Sequence, residues 1–401
     1  MQGDSRSFIL FDDHHRDHLL PLTFTRPVAE LRIGILTIKE KWEKWTGKEF
    51  SWHTQDYLRL KYPIYTAKDN IVINSAITPN RLLIEEIMAL KTGEVLMSGN
   101  VFVAGGLDKP ALEDFEGIPP VGYAVKPAHA AFNYIGKLWN MCRLNGEELL
   151  SDYQLITAGR KSMPVSPTNN LIRPDLIFLE EGAVLEYVTL NASPGPIYIG
   201  KNTTIMEGSL IRGSLALCEG AKIKMGAHIY GPTTLGPFTK AGGEITNTIM
   251  MGYSNKVHEG YLGNSVLGEW CNIGAGSNSS NLKNNFTTVK VWNYATGRFE
   301  ETDLQFCGLF MGDYSRCGIN TMFNTGTVVG ISSNIYGSGF PGSFIPSFSW
   351  GGASGFETYR LSNALETIEI TMGLQQKKLT DIDRKIIDRL FMVTGRFRNT
   401  N

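Results

Sequence analysis

Aliphatic residues recur at every sixth position in the middle of this chain. The uninterrupted series consists of Ile199, Ile205, Ile211, Leu217, Ile223, Ile229 and Leu235. A period of six fits neither the 3.6-residue turn of an amphipathic helix nor the two-residue alternation of a half-buried strand. It is the repeat of a parallel β-helix, in which each short face of a coil points one aliphatic side chain into the centre. We therefore predict a parallel β-helix in this part of the chain.

The same spacing continues on both sides of the central series. The further positions are Ile172, Phe178, Val184 and Leu190 upstream, and Met311, Cys317, Phe323, Val329 and Ile335 downstream. A short insertion at 192–196 and a longer one near 282–306 interrupt the phase, and the longer one contains a predicted hairpin, VKVWNYATGRFEE. The alternative is a β-sandwich, for which the uninterrupted series has to be a coincidence.

The N-terminal part of the chain has a different pattern, in which short apolar runs alternate with segments of helical period. This pattern predicts strands at 7–12, 70–73 and 94–103, and helices at 35–45, 80–90 and 134–155. Such alternation favours an α/β domain with a mainly parallel sheet. We expect this domain over 1–165, the β-helix over 170–340 and a helical segment over 355–401. In the last segment, Thr380 and Asp383 have the spacing of a helix N-cap and its acidic partner.

Composition excludes several classes of function. The 401 residues carry a formal net charge of −1, so there is no electrostatic footprint for nucleic acid or for an anionic membrane. No apolar run approaches the roughly 20 residues that span a bilayer. The five cysteines are odd in number, are widely spaced and form no CxxC pair. They indicate reduced, buried thiols in a cytoplasmic protein instead of a metal site.

One stretch carries a family resemblance. LLPLTFTRPVAELRIGILTIKEKW at residues 19–42 resembles the opening of sugar-1-phosphate nucleotidyltransferases. With a β-helix behind it, the chain resembles the bifunctional N-acetylglucosamine-1-phosphate uridyltransferase and glucosamine-1-phosphate acetyltransferase family, the GlmU type, in a divergent bacterial branch. The resemblance implies a left-handed β-helix, a place in nucleotide-sugar biosynthesis, acetyl-CoA as cosubstrate and Mg²⁺ beside the nucleotide. It also implies sugar-phosphate, nucleotide and acyl-CoA ligands, and the flat apolar faces of the β-helix predict a homotrimer.

The first domain departs from the family pattern at two points. A glycine-rich loop is expected after the first strand, because bare backbone N–H groups must approach the phosphates, but residues 12–18 read DDHHRDH. The family also ends a central strand with a Mg²⁺-binding aspartate, where this chain has Asn100. Asp12 and Asp13 are therefore candidate metal ligands, although they could equally cap a turn. Arg26 either binds a phosphate through its bidentate fork or forms a surface salt bridge.

Three histidines lie in the same loop. His14, His15 and His18 suggest a metal site, but histidines in a loop without a matching distant ligand are more often solvated. The sequence favours the second interpretation.

The second candidate site lies in the β-helix. Residues 262–276 align without gaps to the coil that carries the acetyltransferase site in the GlmU type. Acetyl transfer to an amine needs a base for the ammonium proton. By this resemblance His258 is that base; the alternative is a polar residue at the end of a rung, bonded to backbone carbonyls. The resemblance also assigns Tyr261, Asn281, Lys256 and Lys283 to the sugar phosphate and Gly318, Ile319 and Asn320 to the neighbourhood of coenzyme A.

Three functional hypotheses follow from these residues. The first is an acetyl-CoA-dependent N-acetyltransferase acting on an amino-sugar 1-phosphate, with possible nucleotidyl transfer by the first domain. The second is a sugar-1-phosphate nucleotidyltransferase whose β-helix only oligomerises or regulates. The third is a non-catalytic trimeric scaffold. His258 discriminates the first hypothesis, and a metal-binding acid near Asn100 discriminates the second.

Overall fold

The computed structural model describes residues 6–113 and 115–398, which form two compact units. The N-terminal unit contains the described residues up to Leu19, together with Thr25–Leu31 and Leu36–Lys137. The β-helix unit contains Leu20–Phe24, Arg32–Ile35 and the described residues from Leu138 onward. Two short pieces of the early chain thus belong to the β-helix unit. Among the described residues, no helix is both long and apolar enough to cross a membrane.

A six-stranded mixed sheet forms the N-terminal unit. Its strands are β1 (Arg6–Phe11), β2 (Ser51–His53), β3 (Asp69–Asn74), β4 (Glu94–Ser98), β5 (Val101–Asp108) and β6 (Ala124–Pro127). Their order is β2-β1-β3-β5-β4-β6. Pairs β1–β2, β1–β3 and β4–β6 are parallel, whereas β5 runs antiparallel to both of its neighbours. The single strand predicted at 94–103 is therefore wrong, because a tight hairpin divides it into β4 and β5.

The helices of the first part of the chain are α1 (Ile38–Thr46), α2 (Arg81–Met88), α3 (Lys109–Glu113) and α4 (Leu138–Thr157). Single-turn 3-10 helices occupy Val28–Glu30 and Asp56–Leu58, and a longer one occupies His14–Leu19. Helix α1 begins with a capping box between Thr37 and Glu40 and ends at Gly47, whose φ of 68° gives a left-handed C-cap. Its buried face includes Trp42, whose indole N–H donates to the carbonyl of Ile77 at 2.9 Å.

Three parallel sheets make up the β-helix. The first contains β7 (Asn170–Ile172), β10 (Thr189–Asn191), β13 (Leu210–Arg212), β16 (His228–Tyr230), β19 (Glu244–Thr246), β22 (Tyr261–Gly263), β25 (Asn278–Ser279) and β30 (Met322–Phe323). The second contains β8 (Ile177–Leu179), β11 (Ile197–Ile199), β14 (Leu215–Leu217), β17 (Thr233–Leu235), β20 (Ile249–Gly252), β23 (Val266–Glu269), β28 (Phe310–Met311), β31 (Val328–Val329) and β33 (Phe344–Ile345). The third contains β9 (Val184–Leu185), β12 (Thr204–Ile205), β15 (Lys222–Ile223), β18 (Lys240–Ala241), β21 (Asn255–Lys256), β24 (Asn272–Ile273), β29 (Arg316–Cys317), β32 (Asn334–Ile335) and β34 (Ser349–Gly352). A last strand, β35 (Gly355–Thr358), joins this sheet antiparallel to β34. The predicted parallel β-helix is confirmed.

The central and downstream apolar series lie inside the β-helix as predicted, since every member belongs to one buried cluster. The upstream series is correct only at Leu190. Ile172 and Val184 are 47% and 57% exposed. The inward positions are instead Leu171 and Leu185, and Leu179 is the inward residue next to Phe178. Phe178 points outward and is nevertheless buried. These three predictions are wrong because the first coils do not keep six-residue faces.

A hairpin and three helices complete the β-helix unit. The hairpin predicted in the longer insertion is formed by β26 (Lys290–Asn293) and β27 (Arg298–Glu301). The helices are α5 (Leu361–Gly373), α6 (Asp381–Val393) and α7 (Gly395–Arg398). Helix α6 begins with the predicted capping box between Thr380 and Asp383. All five cysteines are buried and free, as predicted.

Candidate functional site

The carboxyl ends of several strands meet at one edge of the N-terminal sheet. Phe11 of β1 is in register with His53 of β2 and with Asn74 of β3, so the residues after these strands lie side by side. Strand β4 runs in the same direction as β3, because both are antiparallel to the intervening β5. The carboxyl edge of such a sheet is where ligands bind in open α/β folds. The DDHH segment that follows β1 therefore lies at the edge where a ligand is expected.

Asp12 has a structural role at this edge. Its side chain is fully buried. One carboxylate oxygen accepts the Val28 N–H at 2.9 Å. The other accepts the Thr54 hydroxyl at 2.6 Å and lies 3.5 Å from the Arg16 guanidinium. Burial raises the pKa of Asp12, while Arg16 and the hydrogen bonds oppose that rise. Because this carboxylate is fully enclosed and lies against the Arg16 guanidinium, the geometry does not favour Asp12 as a metal ligand, and that role stays a prediction.

Asp13 is the acid that faces the polar edge. Its Oδ1 accepts the His15 backbone N–H at 2.9 Å, and its Oδ2 accepts the Asn74 amide at 2.9 Å. The same Oδ2 lies 3.0 Å from Nδ1 of His15 and 3.5 Å from the Tyr134 hydroxyl. Burial and the neighbouring Asp13 charge raise the pKa of Tyr134, so this phenol keeps its proton. The Asn74 amide also donates to the Phe102 carbonyl at 3.1 Å, which fixes its orientation.

The three loop histidines lie close together. The ring centroids of His14 and His15 are 3.9 Å apart, and those of His15 and His18 are 5.9 Å apart. Potential ligand atoms of Asp13, His14 and His15 all lie within 4.8 Å of one another. The Nδ1 atom of His18 lies 3.1 Å from Nζ of Lys137. The edge thus combines a carboxylate, imidazoles and an ammonium group.

Two other residues singled out in the first domain lie in different environments. Arg26 is only 5% exposed and is close enough to Glu30 to lower the pKa of that carboxyl, against a larger rise caused by burial. Its assignment to a phosphate stays a prediction. Asn100 is exposed on the tight turn of the β4–β5 hairpin, where Ser98 pairs with Val101.

Lys256 points into the centre of the β-helix. It pairs with Ala241 in the third sheet, at a position that aliphatic residues occupy in other coils, and is 1% exposed. Its ammonium donates to the backbone carbonyls of Gly242 at 3.1 Å and His258 at 2.5 Å. Burial lowers its pKa to about 8. A substrate therefore does not reach this ammonium from outside the coil.

Three polar side chains come together on the first sheet. The Asn281 amide donates to the Tyr261 hydroxyl at 2.8 Å and to the Asn264 side-chain carbonyl at 2.7 Å. Burial raises the pKa of Tyr261. Asn264 has a positive φ of 48°. The structure thus brings together Tyr261 and Asn281, which the sequence paired, and adds Asn264.

His258 and Lys283 are further residues of the predicted acetyltransferase site. The His258 side chain is exposed on the turn before Tyr261. Lys283 is half-buried, and its ammonium donates to the Thr288 carbonyl at 2.6 Å. It lines a cavity of about 400 Å³ together with Ser280 and Leu282, which flank Asn281.

Gly318, Ile319 and Asn320 form a turn on a later coil. The Ile319 side chain is 71% exposed, and Asn320 is exposed as well. Gly318 accepts the Ser277 hydroxyl at 3.0 Å through its carbonyl, which ties this turn to the preceding coil. Their place beside coenzyme A stays a prediction.

Sequence reasoning missed Asn74, Tyr134 and Asn264. Asn74 ends a strand, so the rule that functional groups gather at strand ends could have identified it. Tyr134 and Asn264 reach their partners only through the tertiary fold, and no local pattern marks them.

Comparison with known proteins gives consistent matches. Residues 8–161 match the sugar nucleotidyl transferase family. The chain is 31% identical over 146 residues to the bifunctional sugar-1-phosphate nucleotidylyltransferase/acetyltransferase of Sulfurisphaera tokodaii. It is 33% identical over 93 residues to the bifunctional protein GlmU of Methanocaldococcus jannaschii, and 35% identical over 86 residues to GlmU of Trichodesmium erythraeum.

These matches are partial. They cover 31%, 23% and 21% of this chain and 36%, 22% and 18% of the respective relatives. Among solved structures, an Arabidopsis UDP-N-acetylglucosamine acyltransferase aligns over 53% of this chain and 80% of its own, at 12% identity and a TM-score of 0.22. The match of residues 8–161 shows that this part of the chain is similar to the sugar nucleotidyl transferase family, which confirms the resemblance predicted from the opening of the chain.

Proposed function

We propose that this protein is a transferase of nucleotide-sugar biosynthesis whose N-terminal unit transfers a nucleotidyl group to a sugar 1-phosphate. The observation that carries the proposal is the convergence of Asp13, His15 and Asn74 at the carboxyl edge of the sheet, within residues 8–161 that match the sugar nucleotidyl transferase family. In this reaction a phosphate oxygen of the sugar 1-phosphate attacks the α-phosphorus of a nucleoside triphosphate. The new P–O bond forms as the bond to the β-phosphate breaks, and pyrophosphate leaves.

The residues at the edge have the properties that this reaction needs. Lys137 brings positive charge next to His18, and an ammonium group attracts a phosphate as a point charge. Asn74 and Tyr134 hold the Asp13 carboxylate in one orientation by hydrogen bonds. The family resemblance implies a glycine-rich loop for phosphate binding, and here that role falls to side chains, because the segment after β1 forms a 3-10 helix without glycine.

Pyrophosphate release tests this function. The purified protein is incubated with each nucleoside triphosphate, a set of sugar 1-phosphates and a divalent cation. We expect release with one pairing, its loss in His15→Ala, and no change in His258→Ala, which lies in the other unit. Absence of pyrophosphate with every pairing, from protein that is folded by circular dichroism, would refute nucleotidyl transfer.

A second activity is favoured by the Tyr261–Asn264–Asn281 network. We propose that the β-helix transfers an acetyl group from acetyl-CoA to an amino-sugar 1-phosphate, with His258 as general base. The sugar amine attacks the thioester carbonyl, so a C–N bond forms and the C–S bond breaks. His258 takes the proton of the ammonium, and the thiolate of coenzyme A leaves. Tyr261 and Asn281 position the sugar phosphate, and Lys283 beside the neighbouring cavity supplies charge.

Coenzyme A and the oligomer belong to the same proposal. Gly318, Ile319 and Asn320 are placed beside coenzyme A because the exposed Ile319 side chain offers an apolar surface on a coil edge. A homotrimer is proposed from the flat faces of the β-helix, and sedimentation of the intact protein measures it. A stable monomer would contradict the trimer.

Thiol release from acetyl-CoA tests the acetyl transfer. Glucosamine 1-phosphate is the first acceptor, and free thiol is titrated as it forms. We expect His258→Ala to abolish release without changing oligomer size or pyrophosphate release. The matched control is His228→Ala, another exposed histidine of the β-helix, which should keep full activity. Equal turnover in the wild type and His258→Ala would remove His258 as the base.

A further inference from the structure

Asp13, His14 and His15 form a group with the geometry of a metal site. One potential ligand atom from each residue lies within 4.8 Å of those of the other two. The distance between Nδ1 of His15 and Oδ2 of Asp13 is 3.0 Å. Two ligand atoms about 2.0–2.1 Å from a tetrahedral ion lie roughly 3.4 Å apart. Small side-chain rotations therefore bring the three donors around one cation.

The carboxylate of this group is held in place before any ion binds. Asp13 is 8% exposed, and the buried Asn74 amide donates to its Oδ2 at 2.9 Å. Its other oxygen accepts the His15 backbone N–H, which fixes the start of the 3-10 helix that carries both imidazoles. Hydrogen-bonded support of this kind orients the ligands of protein metal sites. A solvated histidine loop has no such support.

The donor set selects the class of metal. Mg²⁺, which the family resemblance implies, prefers oxygen ligands in an octahedral arrangement, and two imidazoles and one carboxylate do not fit it. Imidazole nitrogens favour Zn²⁺ and related first-row transition metals. Two histidines and one carboxylate are also a ligand set of catalytic zinc sites, in which a fourth position stays open for water or substrate.

We infer that Asp13, His14 and His15 bind a first-row transition-metal ion of the Zn²⁺ or Co²⁺ type instead of Mg²⁺. Beside these ligands, the edge also carries His18 and the ammonium of Lys137. The open position of this ion is suited to a phosphate oxygen of the substrate, and this last point rests on the proposed nucleotidyl transfer. The binding of the ion does not depend on that proposed function.

Titration of the metal-free protein with Co²⁺ tests the inference without any substrate. Bound Co²⁺ gives visible absorption bands whose intensity reports a site of low coordination number, and the competing addition of Zn²⁺ should remove them. We expect one tight equivalent for the wild type and no displacement by excess Mg²⁺. In His14→Ala and His15→Ala the dissociation constant should rise by about 10–100-fold or more, since loss of even a supporting partner costs that much.

Two histidines serve as controls for these variants. His129 is exposed in the same unit and His228 is exposed on the β-helix, so His129→Ala and His228→Ala should bind Co²⁺ as the wild type does. His14→Ala is the decisive variant, because His14 is exposed and its removal leaves the hydrogen bonds of Asp13 intact. Its melting temperature confirms that it folds.

Three results would overturn the inference, and two of them come from the titration alone. One is Co²⁺ affinity that is the same in the wild type and in His14→Ala and His15→Ala. The other is Mg²⁺ displacing Co²⁺ at comparable concentrations. Nucleotidyl transfer supported by Mg²⁺ alone, with no Co²⁺ binding, would refute the metal site and leave the proposed function standing. Tight Co²⁺ binding without pyrophosphate release would refute the proposed function and leave the metal site standing.

Discussion

The lysine inside the β-helix makes a prediction about stability and pH. Lys256 occupies an inward position between Ala241 and Ile273. Its ammonium donates hydrogen bonds to the backbone carbonyls of Gly242 and His258. Desolvation disfavours the charged form, which lowers the pKa from 10.5 to about 8, while the nearby Glu259 charge opposes the change. At neutral pH Lys256 is therefore charged inside the coil, where its neutral form would be more favourable.

The sign and size of the effect follow from the two pKa values. Between pH 8 and pH 10.5 the unfolded chain still holds the Lys256 proton that the folded chain has released, so the free energy of unfolding rises with pH. Each pH unit in that window contributes about 1.4 kcal/mol, so the gain across it is about 3 kcal/mol. Below pH 8 both states are protonated, and the contribution of Lys256 is constant.

Lys256→Met isolates this contribution. Methionine keeps the length of the side chain and removes the charge, but leaves two carbonyls without a donor at about 1–3 kcal/mol each. The sign of the change at pH 7 alone is therefore not decisive. Urea unfolding followed by circular dichroism at pH 7 and pH 10.5 gives the difference between the two proteins. As the pH rises from 7 to 10.5, the free energy of unfolding of the wild type should increase by about 3 kcal/mol relative to that of Lys256→Met.

The matched control is Lys222→Met. Lys222 lies on the same sheet with its side chain exposed, so its substitution should give a difference from wild type that does not depend on pH. A wild-type-to-Lys256→Met difference that stays constant from pH 7 to pH 10.5 would refute the reasoning.

Two further predictions concern the ends and corners of the β-helix unit. A Cβ at Gly326, where φ is +65°, would lie 2.3 Å from the backbone carbonyl oxygen of Lys290, so Gly326→Ala should lower the urea midpoint by more than Gly297→Ala, where φ is +63° and the space is open. Equal losses in the two variants would show that backbone strain alone matters. Thr380→Ala removes the N-cap that accepts the Asp383 N–H at 3.1 Å, and should cost about 1 kcal/mol of stability by thermal unfolding. An unchanged transition would mean that packing alone holds helix α6.

The six-residue period predicted the β-helix but not the register of its first coils. The side chain of Phe178 lies outside the coil and is buried because Arg160 covers its ring at 5.1 Å and Tyr198 stacks beside it. An apolar residue covered by a neighbouring segment has the same sequence signature as one that faces the core. Only the structure separates the two cases.

The period also fails just before the predicted acetyltransferase site. From Ile199 to Leu235 partner residues lie 18 positions apart, as for Leu217 and Leu235, but Leu235 pairs with Met250, only 15 positions on. Counting by six therefore does not identify Lys256 as an inward residue. The local resemblance made it a substrate ligand, whereas the shortened coil places it in the core.

In the N-terminal unit, the strand ends were predictable and the meeting of their side chains was not. The sequence identified the DDHH loop, but the partners Asn74 and Tyr134 lie 61 and 121 positions from Asp13. The missed hairpin had a local signal, since the turn Gly99–Asn100 lies between two apolar runs. Long-range partners of a site require the topology of the sheet, which local patterns do not contain.

The stretch that carries the family resemblance also has a structural role in the β-helix unit. The Gly34 N–H donates to Asn145 at 2.8 Å, its carbonyl accepts the Thr234 hydroxyl at 2.7 Å, and the Ile35 N–H donates to Asp152 at 2.8 Å. These groups are buried, so they need partners within the fold. A side chain at Gly34, where φ is +73°, would lie 2.6 Å from Asp152. Contacts with residues up to 200 positions later in the chain thus explain why position 34 is a glycine. A fragment that stops before the β-helix would lose Thr234 and leave the Gly34 carbonyl without this partner.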